Sequence, residues 1–352
     1  MRLPTGPRTR RALRVIRDAL IIVAISAVLT EAALRAYNAF YPLPIFYSGD
    51  YNRFRGKPNA PEYDSTLNSR GFNDVERSLR KPEGTFRIVA PGGSFAFGVV
   101  PHAANYLTLL ENSLNRGGRR VEVVNMGIPA TGIAAHLALL AREGLDFNPD
   151  MVLATVFSGD GVFPTRASLS YLATAIRFLF DLNTKVEGHI VHGHQAYDDS
   201  GSVFTDKAYL DQKLQATVIF KRANRAAVQK LSNQLVSDIL RMKEMCDARN
   251  IRLSVVVIPD EAQVDGGLQQ EVVMASGSTA DAFDFGLPNE LLNEALSRHG
   301  IDHIDVLDAF VAASPQGRLY RPNDSYWNIR GNALAAQLIA EHLKSALALS
   351  GQ

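Results

Sequence analysis

The stretch Phe86-Arg-Ile-Val-Ala-Pro-Gly-Gly-Ser94 decides the fold, because it joins a short apolar run to a tight turn that ends in a serine. An apolar run stopped by Pro-Gly-Gly is typical of a buried β-strand. The two glycines permit a sharp turn. A serine at a strand-to-helix turn exposes its hydroxyl and its backbone N–H, so Ser94 is a candidate nucleophile and oxyanion donor. The alternative interpretation is an ordinary turn between a strand and a helix.

Strands and helices alternate along the rest of the chain. Apolar runs predict further strands at 121–124, 151–157, 251–258 and 304–307. Helical spacing predicts helices at 105–114, 133–145, 226–250, 289–299 and 331–347, with a loop at 262–286. This alternation is typical of a parallel sheet whose site lies at the carboxyl ends of the strands. The predicted fold is therefore α/β, with a doubly wound, flavodoxin-like, five-stranded parallel sheet.

The N-terminal region carries a targeting signal. Six arginines precede the first acidic residue, Asp18, and an apolar stretch at 19–34 follows, broken by Ser26, Thr30 and Glu31. Because arginines stay on the cytoplasmic side of a membrane, we predict a transmembrane signal anchor with the lipid bilayer as its partner. The N-terminus would be cytoplasmic and the main domain periplasmic or otherwise extracytoplasmic. A cleaved signal peptide and a buried amphipathic helix are the alternatives.

We predict three regions along the chain. Residues 1–41 form the basic tail and anchor helix, residues 42–85 a linker and irregular lead-in, and residues 86–349 the α/β domain with an insertion at 161–225. A net charge of +1 argues against a dedicated nucleic-acid binder. The single cysteine, Cys246, excludes an intramolecular disulfide and is predicted to be structural. We predict no cofactor, and the sequence indicates no particular protein partner.

Several blocks of sequence together resemble the SGNH/GDSL hydrolases, in particular their membrane-anchored bacterial members. The resemblance covers most of 67–343, the insertion excepted. The blocks are Leu67-Asn-Ser-Arg-Gly-Phe72, the stretch 87–98 around Ser94, Val124-Asn-Met-Gly-Ile-Pro129, Asn148-Pro-Asp150, and the stretch 319–331 that contains Asp324-Ser-Tyr-Trp-Asn328.

The resemblance implies roles for individual residues. Ser94 would be the nucleophile, and the N–H groups of Ser94 and Gly127 would form part of the oxyanion hole. Asp324 would orient the catalytic base. Two positions depart from the family pattern: Tyr326 replaces the base histidine, and Gly159 replaces the asparagine that completes the oxyanion hole.

These departures bear on activity. A phenol has an ordinary pKa near ~10 and does not readily accept a proton at neutral pH. Loss of one oxyanion donor costs ~10²–10³ in rate, and loss of a triad histidine on the order of 10⁶. The first hypothesis is therefore an impaired acyl-ester hydrolase or acyltransferase acting on cell-envelope carbohydrate. The second is a non-catalytic pseudo-enzyme that binds carbohydrate or a partner, with Tyr326 and Trp327 as a sugar-stacking surface.

Other polar residues are secondary candidates. His102 follows Ser94 on the same edge and is the first alternative base, whereas His136 is predicted to face solvent or to pack, and His303 starts a strand at the opposite end. Asp160 follows a strand and is either a site carboxylate or a helix N-cap. His189, His192 and His194 suit a metal site, a supplied base or a solvated loop, and we predict no metal site.

Overall fold

The structure is a computed structural model that describes residues 7–40, 55–56, 58–116, 118, 120–160, 171–173, 175–176 and 196–348. Its strands are β1 (Pro61–Glu62), β2 (Ser65–Thr66), β3 (Thr85–Gly92), β4 (Arg120–Gly127), β5 (Met151–Phe157), β6 (Arg252–Ile258) and β7 (Asp302–Asp305). Its α-helices are α1 (Pro7–Phe40), α2 (Ser94–Phe97), α3 (Tyr106–Asn115), α4 (Ile133–Arg142), α5 (Asp206–Ala216), α6 (Arg225–Asp247), α7 (Glu261–Val264), α8 (Gly266–Ala275), α9 (Leu287–Arg298), α10 (Leu307–Ala313) and α11 (Ile329–Ala348).

The central sheet has the predicted architecture. Strands β3 to β7 form one sheet in the order β4-β3-β5-β6-β7, and every neighbouring pair is parallel. Because the strands run in one direction, their carboxyl ends meet at one edge, where sites form in this class of fold. The prediction of a five-stranded parallel α/β sheet is confirmed.

Helices cover both faces of the sheet. One apolar core lies between the sheet and α3, α10 and α11. The other lies between the sheet and α4, α6 and α9, and it contains the buried Cys246. Since both faces are buried, the central strand β5 is a nearly continuous apolar run, whereas the edge strand β7 is mostly polar. The sheet is therefore doubly wound.

The segment between β6 and α9 differs from the sequence prediction of a loop at 262–286. It contains the helices α7 and α8. Asp260 begins α7 with a capping box, in which its side chain accepts the N–H of Ala262 and Gln263 returns a bond to the backbone of Asp260. Asp265 caps α8 in the same way by accepting the N–H of Leu268 at 2.9 Å. These caps satisfy the first backbone donors of short helices whose apolar periodicity is weak.

The lead-in before β3 packs onto the domain where the structure describes it. Leu67 and Phe72 are buried. Asn73 Nδ2 donates to the carbonyl of Phe97 at 2.9 Å, and Asp74 Oδ2 accepts the backbone N–H of Asn125 at 3.0 Å. These bonds support the carboxyl ends of β3 and β4, so residues 67–74 belong to the folded domain.

The N-terminal helix α1 carries the predicted anchor segment. Within the part of the chain that the structure describes, no helix meets the combined length and hydropathy needed to span a membrane. Large apolar side chains along α1 are nevertheless exposed, among them Leu20, Ile22 and Val23, each above 60%. Glu31 accepts the N–H groups of Tyr171 and Leu172 in the insertion, at 3.0 and 2.8 Å.

Candidate functional site

Ser94 lies at the carboxyl end of β3, at the first residue of α2. Two glycines, Gly92 and Gly93, allow this turn because neighbouring atoms lie too close to them for a side chain to fit. A Cβ atom built on Gly92 would lie 2.4 Å from the Cβ of Ala96, and one on Gly93 would lie 2.8 Å from the carbonyl oxygen of Thr131. Neither distance is tolerable for a side chain, so the turn requires glycine at both positions and thereby places the Ser94 hydroxyl at the edge of the sheet.

A cavity of about 320 Å³ opens beside Ser94. Its apolar wall includes Phe157, Ile219, Phe220 and Ile258, and its polar groups include Ser94, Tyr326, Asp160, His136 and the pair Lys213 and Asp260. The described part of the insertion supplies one wall through α5 and the turn after it. Such a combination of apolar surface and a few convergent polar groups is typical of a small-molecule site.

Two groups contact the Ser94 hydroxyl. The backbone N–H of Ala130 donates to Ser94 Oγ at 3.2 Å, and the Tyr326 phenol interacts with Ser94 in the same cavity. Burial raises the pKa of Tyr326 above its ordinary value, and the negative charges of Asp324 and Asp160 add to this, while the bond from Ser94 opposes it. The phenol of Tyr326 therefore stays protonated at neutral pH.

Asp324 does not face the cavity. It is buried and pairs with Arg321, whose Nη1 lies 3.0 Å from Asp324 Oδ2. Burial raises its pKa to about 6, against the opposing effects of Arg321 and of the backbone N–H groups of Tyr326 and Ser325. The resemblance assigns Asp324 to orienting a base. In the structure its carboxylate instead pairs with Arg321 and interacts with backbone N–H groups of its own loop.

The predicted role of Gly127 in the oxyanion hole does not agree with the structure. It ends β4 beside Gly92, but its N–H donates to Asn125 Oδ1 at 2.9 Å. A Cβ atom there would lie 2.0 Å from the backbone nitrogen of Phe97, so the residue is packed against α2 and does not line the cavity. The N–H that faces Ser94 belongs instead to Ala130, which adopts a φ of 56°. The sequence feature that could have identified Ala130 is its position three residues after Gly127, in the turn that follows β4.

Gly159 lines the cavity but has no side-chain donor. A Cβ atom built on it would lie 2.3 Å from Cε1 of Phe157. An asparagine at this position would therefore have to displace the Phe157 ring, which packs against Phe95 with ring centroids 5.5 Å apart. The family donor cannot be restored here by a single substitution without repacking.

Asp160 lies in the cavity, as the interpretation of a site carboxylate required. Its Oδ2 accepts the N–H of Phe157 at 3.1 Å. Burial raises its pKa from 3.8 to about 7, and the Phe157 bond opposes this only in part. The competing N-cap interpretation concerns residues outside the described part of the chain.

Two other predicted site-edge residues lie elsewhere. Trp327 is 1% exposed and packs in the core against Phe95, Tyr106 and Phe310, so it offers no sugar-stacking surface. His102 does not line the cavity; its Nε2 lies 3.2 Å from Thr108 Oγ1 and 3.6 Å from Asp74 Oδ1. His102 is therefore not positioned as a substitute base. His189, His192 and His194 lie outside the described residues.

His136 is buried, which is one of the two predicted alternatives, and it also lines the cavity, which was not predicted. It lies on α4, is 2% exposed and lines the cavity, with Nε2 3.3 Å from Thr131 Oγ1. Burial lowers its pKa to about 4, which carbonyl groups of Thr131 and Thr155 oppose, so the imidazole is neutral at physiological pH. Its position one helical turn inside α4 gave no signal that the cavity would reach it.

A buried ion pair also escaped the sequence analysis. Lys213 Nζ lies 2.7 Å from Asp260 Oδ2 and 3.0 Å from Ser325 Oγ, and both charged residues are nearly inaccessible to solvent. Asp260 directly follows β6, so its place at a strand end was a usable signal. Lys213 comes from α5 in the insertion, where no motif marks it. The pair connects the insertion, the sheet and the residue that precedes Tyr326.

Comparisons with known proteins add the following. No protein-family model matches the chain, and no curated protein matches it. A lipase/acylhydrolase from Enterococcus faecalis is 14% identical with a TM-score of 0.42, covering 74% of this chain and 96% of that chain. A putative lipolytic protein of the G-D-S-L family from Desulfitobacterium hafniense DCB-2 is 13% identical with a TM-score of 0.40, covering 73% and 98%. We base no functional argument on likenesses this distant. What the structure itself establishes is a doubly wound α/β fold around a five-stranded parallel sheet.

Proposed function

We propose that this SGNH/GDSL hydrolase-like protein binds an acylated carbohydrate of the cell envelope and does not turn it over efficiently. One observation carries the proposal. The side chain that interacts with Ser94 in the cavity is the Tyr326 phenol, whose raised pKa keeps it protonated. A protonated phenol cannot accept the serine proton, and general-base catalysis requires that acceptance. Ser94 is thus held in a nucleophile's position without a base.

Other parts of the site support the same conclusion. Asp324 is paired with Arg321, the Gly127 N–H is occupied by Asn125, and Gly159 lacks a side-chain donor. The resemblance assigns a role in acyl transfer to each of these three positions. Their joint loss leaves the cavity with binding features and little catalytic machinery. The carbohydrate part of the ligand is inferred from the resemblance and from the proposed envelope location.

The cavity suits an acyl group next to hydrogen-bonding atoms. Phe157, Ile219 and Phe220 supply apolar surface, and Ser94 and Asp160 lie in the same cavity. Burial of apolar ligand surface contributes ~25 cal/mol per Å² before the costs of binding. A small acyl ester with an attached sugar would place its apolar end against the aromatic wall and its oxygens toward the polar groups.

An acyl-ester hydrolase or acyltransferase with an unusual base is the second candidate. One observation favours it: His136 is a neutral imidazole in the same cavity, and its Nε2 is 3.7 Å from a Cβ atom built on Gly93, the residue before Ser94. A neutral imidazole is able to accept a proton, although a pKa near 4 makes it a weak base. Activity that requires both Ser94 and His136 would favour this candidate.

We expect the full-length protein in detergent to hydrolyse 4-nitrophenyl acetate and butyrate at most at trace rates. The expected rate is that of Ser94→Ala, since a serine without a base contributes little. Calorimetric titration with an O-acetylated oligosaccharide should show binding, and the chemically deacetylated oligosaccharide should bind more weakly.

Ser94→Ala is the matched control for the rate, and His136→Phe is the control for the second candidate. Robust wild-type hydrolysis that disappears in Ser94→Ala would overturn the binding proposal. If His136→Phe also removes that activity, the second candidate replaces it. Equal calorimetric affinity for the acetylated and deacetylated oligosaccharides would contradict an acyl-recognising cavity.

We also propose that α1 attaches the chain to a membrane, with the domain on the extracytoplasmic side. The support is the arginine cluster ahead of the apolar stretch 19–34 and the exposure of the large apolar side chains on α1. Exposed apolar surface of this extent is typical of membrane or protein contact. The aromatic residues Tyr37, Phe40 and Tyr41 follow the apolar stretch, as an interfacial belt would.

Topology reporters test this attachment. A fusion of alkaline phosphatase after Tyr41 should be active, and a fusion of green fluorescent protein at the same point should be dark, because the former folds only outside the cytoplasm and the latter inside it. The full-length protein should sediment with membranes after washing at high salt. Phosphatase inactivity together with bright fluorescence would reverse the topology, and release of the protein by salt would show that apolar anchoring is absent.

A further inference from the structure

Asp160 carries a partly buried carboxyl that has no positive partner among the described residues. It follows β5 at the carboxyl edge of the sheet and shares the cavity with Ser94 and Tyr326. Its only described hydrogen bond is the one that Oδ2 accepts from the N–H of Phe157, at 3.1 Å. No lysine, arginine or histidine among the described residues forms an ion pair with it. A carboxylate in such a place is costly, and the usual response is to keep a proton.

The charged and titratable groups around the cavity do not stabilise the ionised form of Asp160. Among the lining residues that the structure describes, Lys213 on α5 is the one lysine or arginine, and Asp260 pairs with it at 2.7 Å. His136 on α4 is neutral because burial lowers its pKa to about 4, and Tyr326 is neutral because burial raises its pKa. Desolvation accordingly raises the pKa of Asp160 to about 7. The carboxyl of Asp160 is thus protonated and able to donate a hydrogen bond in acidic solution, and it begins to ionise near pH 7.

We propose that the protonated carboxyl of Asp160 donates a hydrogen bond to the carbonyl oxygen of the bound ligand and so selects neutral ester or amide groups. This rests on the proposed binding function of the cavity. The donor stands beside Gly159, the position at which the family asparagine is absent, so Asp160 supplies a donor from the adjacent residue. The ionised form has only acceptor oxygens and repels a carbonyl oxygen. Ligand affinity should therefore fall as pH rises through about 7.

Two further carboxyls close to the cavity titrate in the same range and need separate controls. Burial raises the pKa of Glu261, which hydrogen-bonds Tyr209 beneath Lys213, to about 7, and that of Asp324 to about 6. Neither lines the cavity. Substituting Glu261 with glutamine should consequently leave the pH dependence of binding intact, whereas changing Asp160 should remove it.

The probe is N-(4-nitrophenyl)butanamide, a neutral amide that the serine does not hydrolyse readily. Trp327, the single tryptophan, packs against the cavity residue Phe95 with ring centroids 4.9 Å apart, so a bound nitrophenyl group should quench its fluorescence. We expect wild-type affinity to fall about fivefold between pH 7 and 8 and about tenfold over the next unit, following the protonated fraction. Asp160→Asn keeps a side-chain donor and should bind with constant affinity from pH 5.5 to 9, and Glu261→Gln should behave like wild type.

A flat wild-type profile, or an unchanged pH dependence in Asp160→Asn, would overturn the role of Asp160 while leaving the binding function standing. Absence of wild-type binding at every pH would instead contradict the binding function itself. The thermal stability of Asp160→Asn gives a readout independent of ligand. Because the folded-state pKa is raised, wild type loses stability as pH rises from about 4 to about 7. Asp160→Asn should lack the part of that loss that Asp160 causes, while the parts from Glu261 and Asp324 remain, and it should unfold at a higher temperature than wild type at pH 8.

Discussion

Replacing Tyr326 with histidine is expected to convert the protein into a measurable esterase. An imidazole in contact with Ser94 would supply the proton acceptor that the phenol denies, and Asp324 lies two residues away. We expect kcat/KM for 4-nitrophenyl acetate to rise at least about 10²-fold, well short of the ~10⁶ that a complete triad loses without its histidine. The pH profile should gain a limb near the ordinary histidine pKa of ~6.5.

The gain should be partial for structural reasons. Asp324 is held by Arg321 at 3.0 Å, so its support of an imidazole is weakened. The donor absent at Gly159 costs a further ~10²–10³ in rate, and the Phe157 ring obstructs its restoration. Gly159→Asn should therefore increase the activity of Tyr326→His only when Phe157 is also made smaller.

Tyr326→Phe is the matched control for the histidine variant, since phenylalanine preserves the edge contact with Phe95 at 5.4 Å and supplies no base. It should gain nothing. Ser94→Ala combined with Tyr326→His should abolish the gained activity. Equal activity in the phenylalanine and histidine variants, or activity that survives Ser94→Ala, would show that Tyr326 does not stand in the place of the base.

Removing the buried charge of Lys213 is expected to be the most destabilising single change near the site. Lys213→Met leaves Asp260 desolvated without its cation, which typically costs about 3–5 kcal/mol of unfolding free energy. The loss should also weaken ligand binding, because Lys213 contacts Ser325 Oγ at 3.0 Å, next to Tyr326. Urea denaturation monitored by Trp327 fluorescence gives the free energy of unfolding.

The same helix offers a matched control. Lys207 on α5 pairs with Asp211 at 2.6 Å, but 85% of the Lys207 side chain is exposed. Lys207→Met should cost less than about 1 kcal/mol, because exposed pairs are solvated before and after the change. Combining Lys213→Met with Asp260→Asn should recover part of the loss, since no buried charge is left. Similar costs for Lys207→Met and Lys213→Met would contradict the assignment of a buried pair.

The sequence alone was sufficient for the sheet. The runs 86–90 and 151–157 are apolar except for Arg87 and Thr155, and nearly continuous apolar runs are typical of strands covered on both faces. Gly92 and Gly93 likewise imposed the turn before Ser94, because their close contacts leave no room for a side chain. Weaker local patterns were insufficient: the short helices α7 and α8 depend on caps at Asp260 and Asp265 more than on apolar periodicity.

Tertiary structure decided which polar groups meet at the site. The resemblance implied an oxyanion role for Gly127, but the partner of its N–H is the Asn125 side chain, which the sequence does not reveal. The aromatic residue Trp327 stands in a motif and yet packs in the core, because α3 and α10 close over it.

The sequence by itself determined the sheet, the turn that presents Ser94 and the presence of a tyrosine where a base was required. Only the folded chain brought His136 and Lys213 into the cavity, because α4 and α5 reach it through packing against elements distant in sequence. Burial then set the proton state of each group, lowering the pKa of His136 and raising that of Asp160. Those shifts arise from the loss of solvent around each side chain, a quantity that exists only once the tertiary structure has formed.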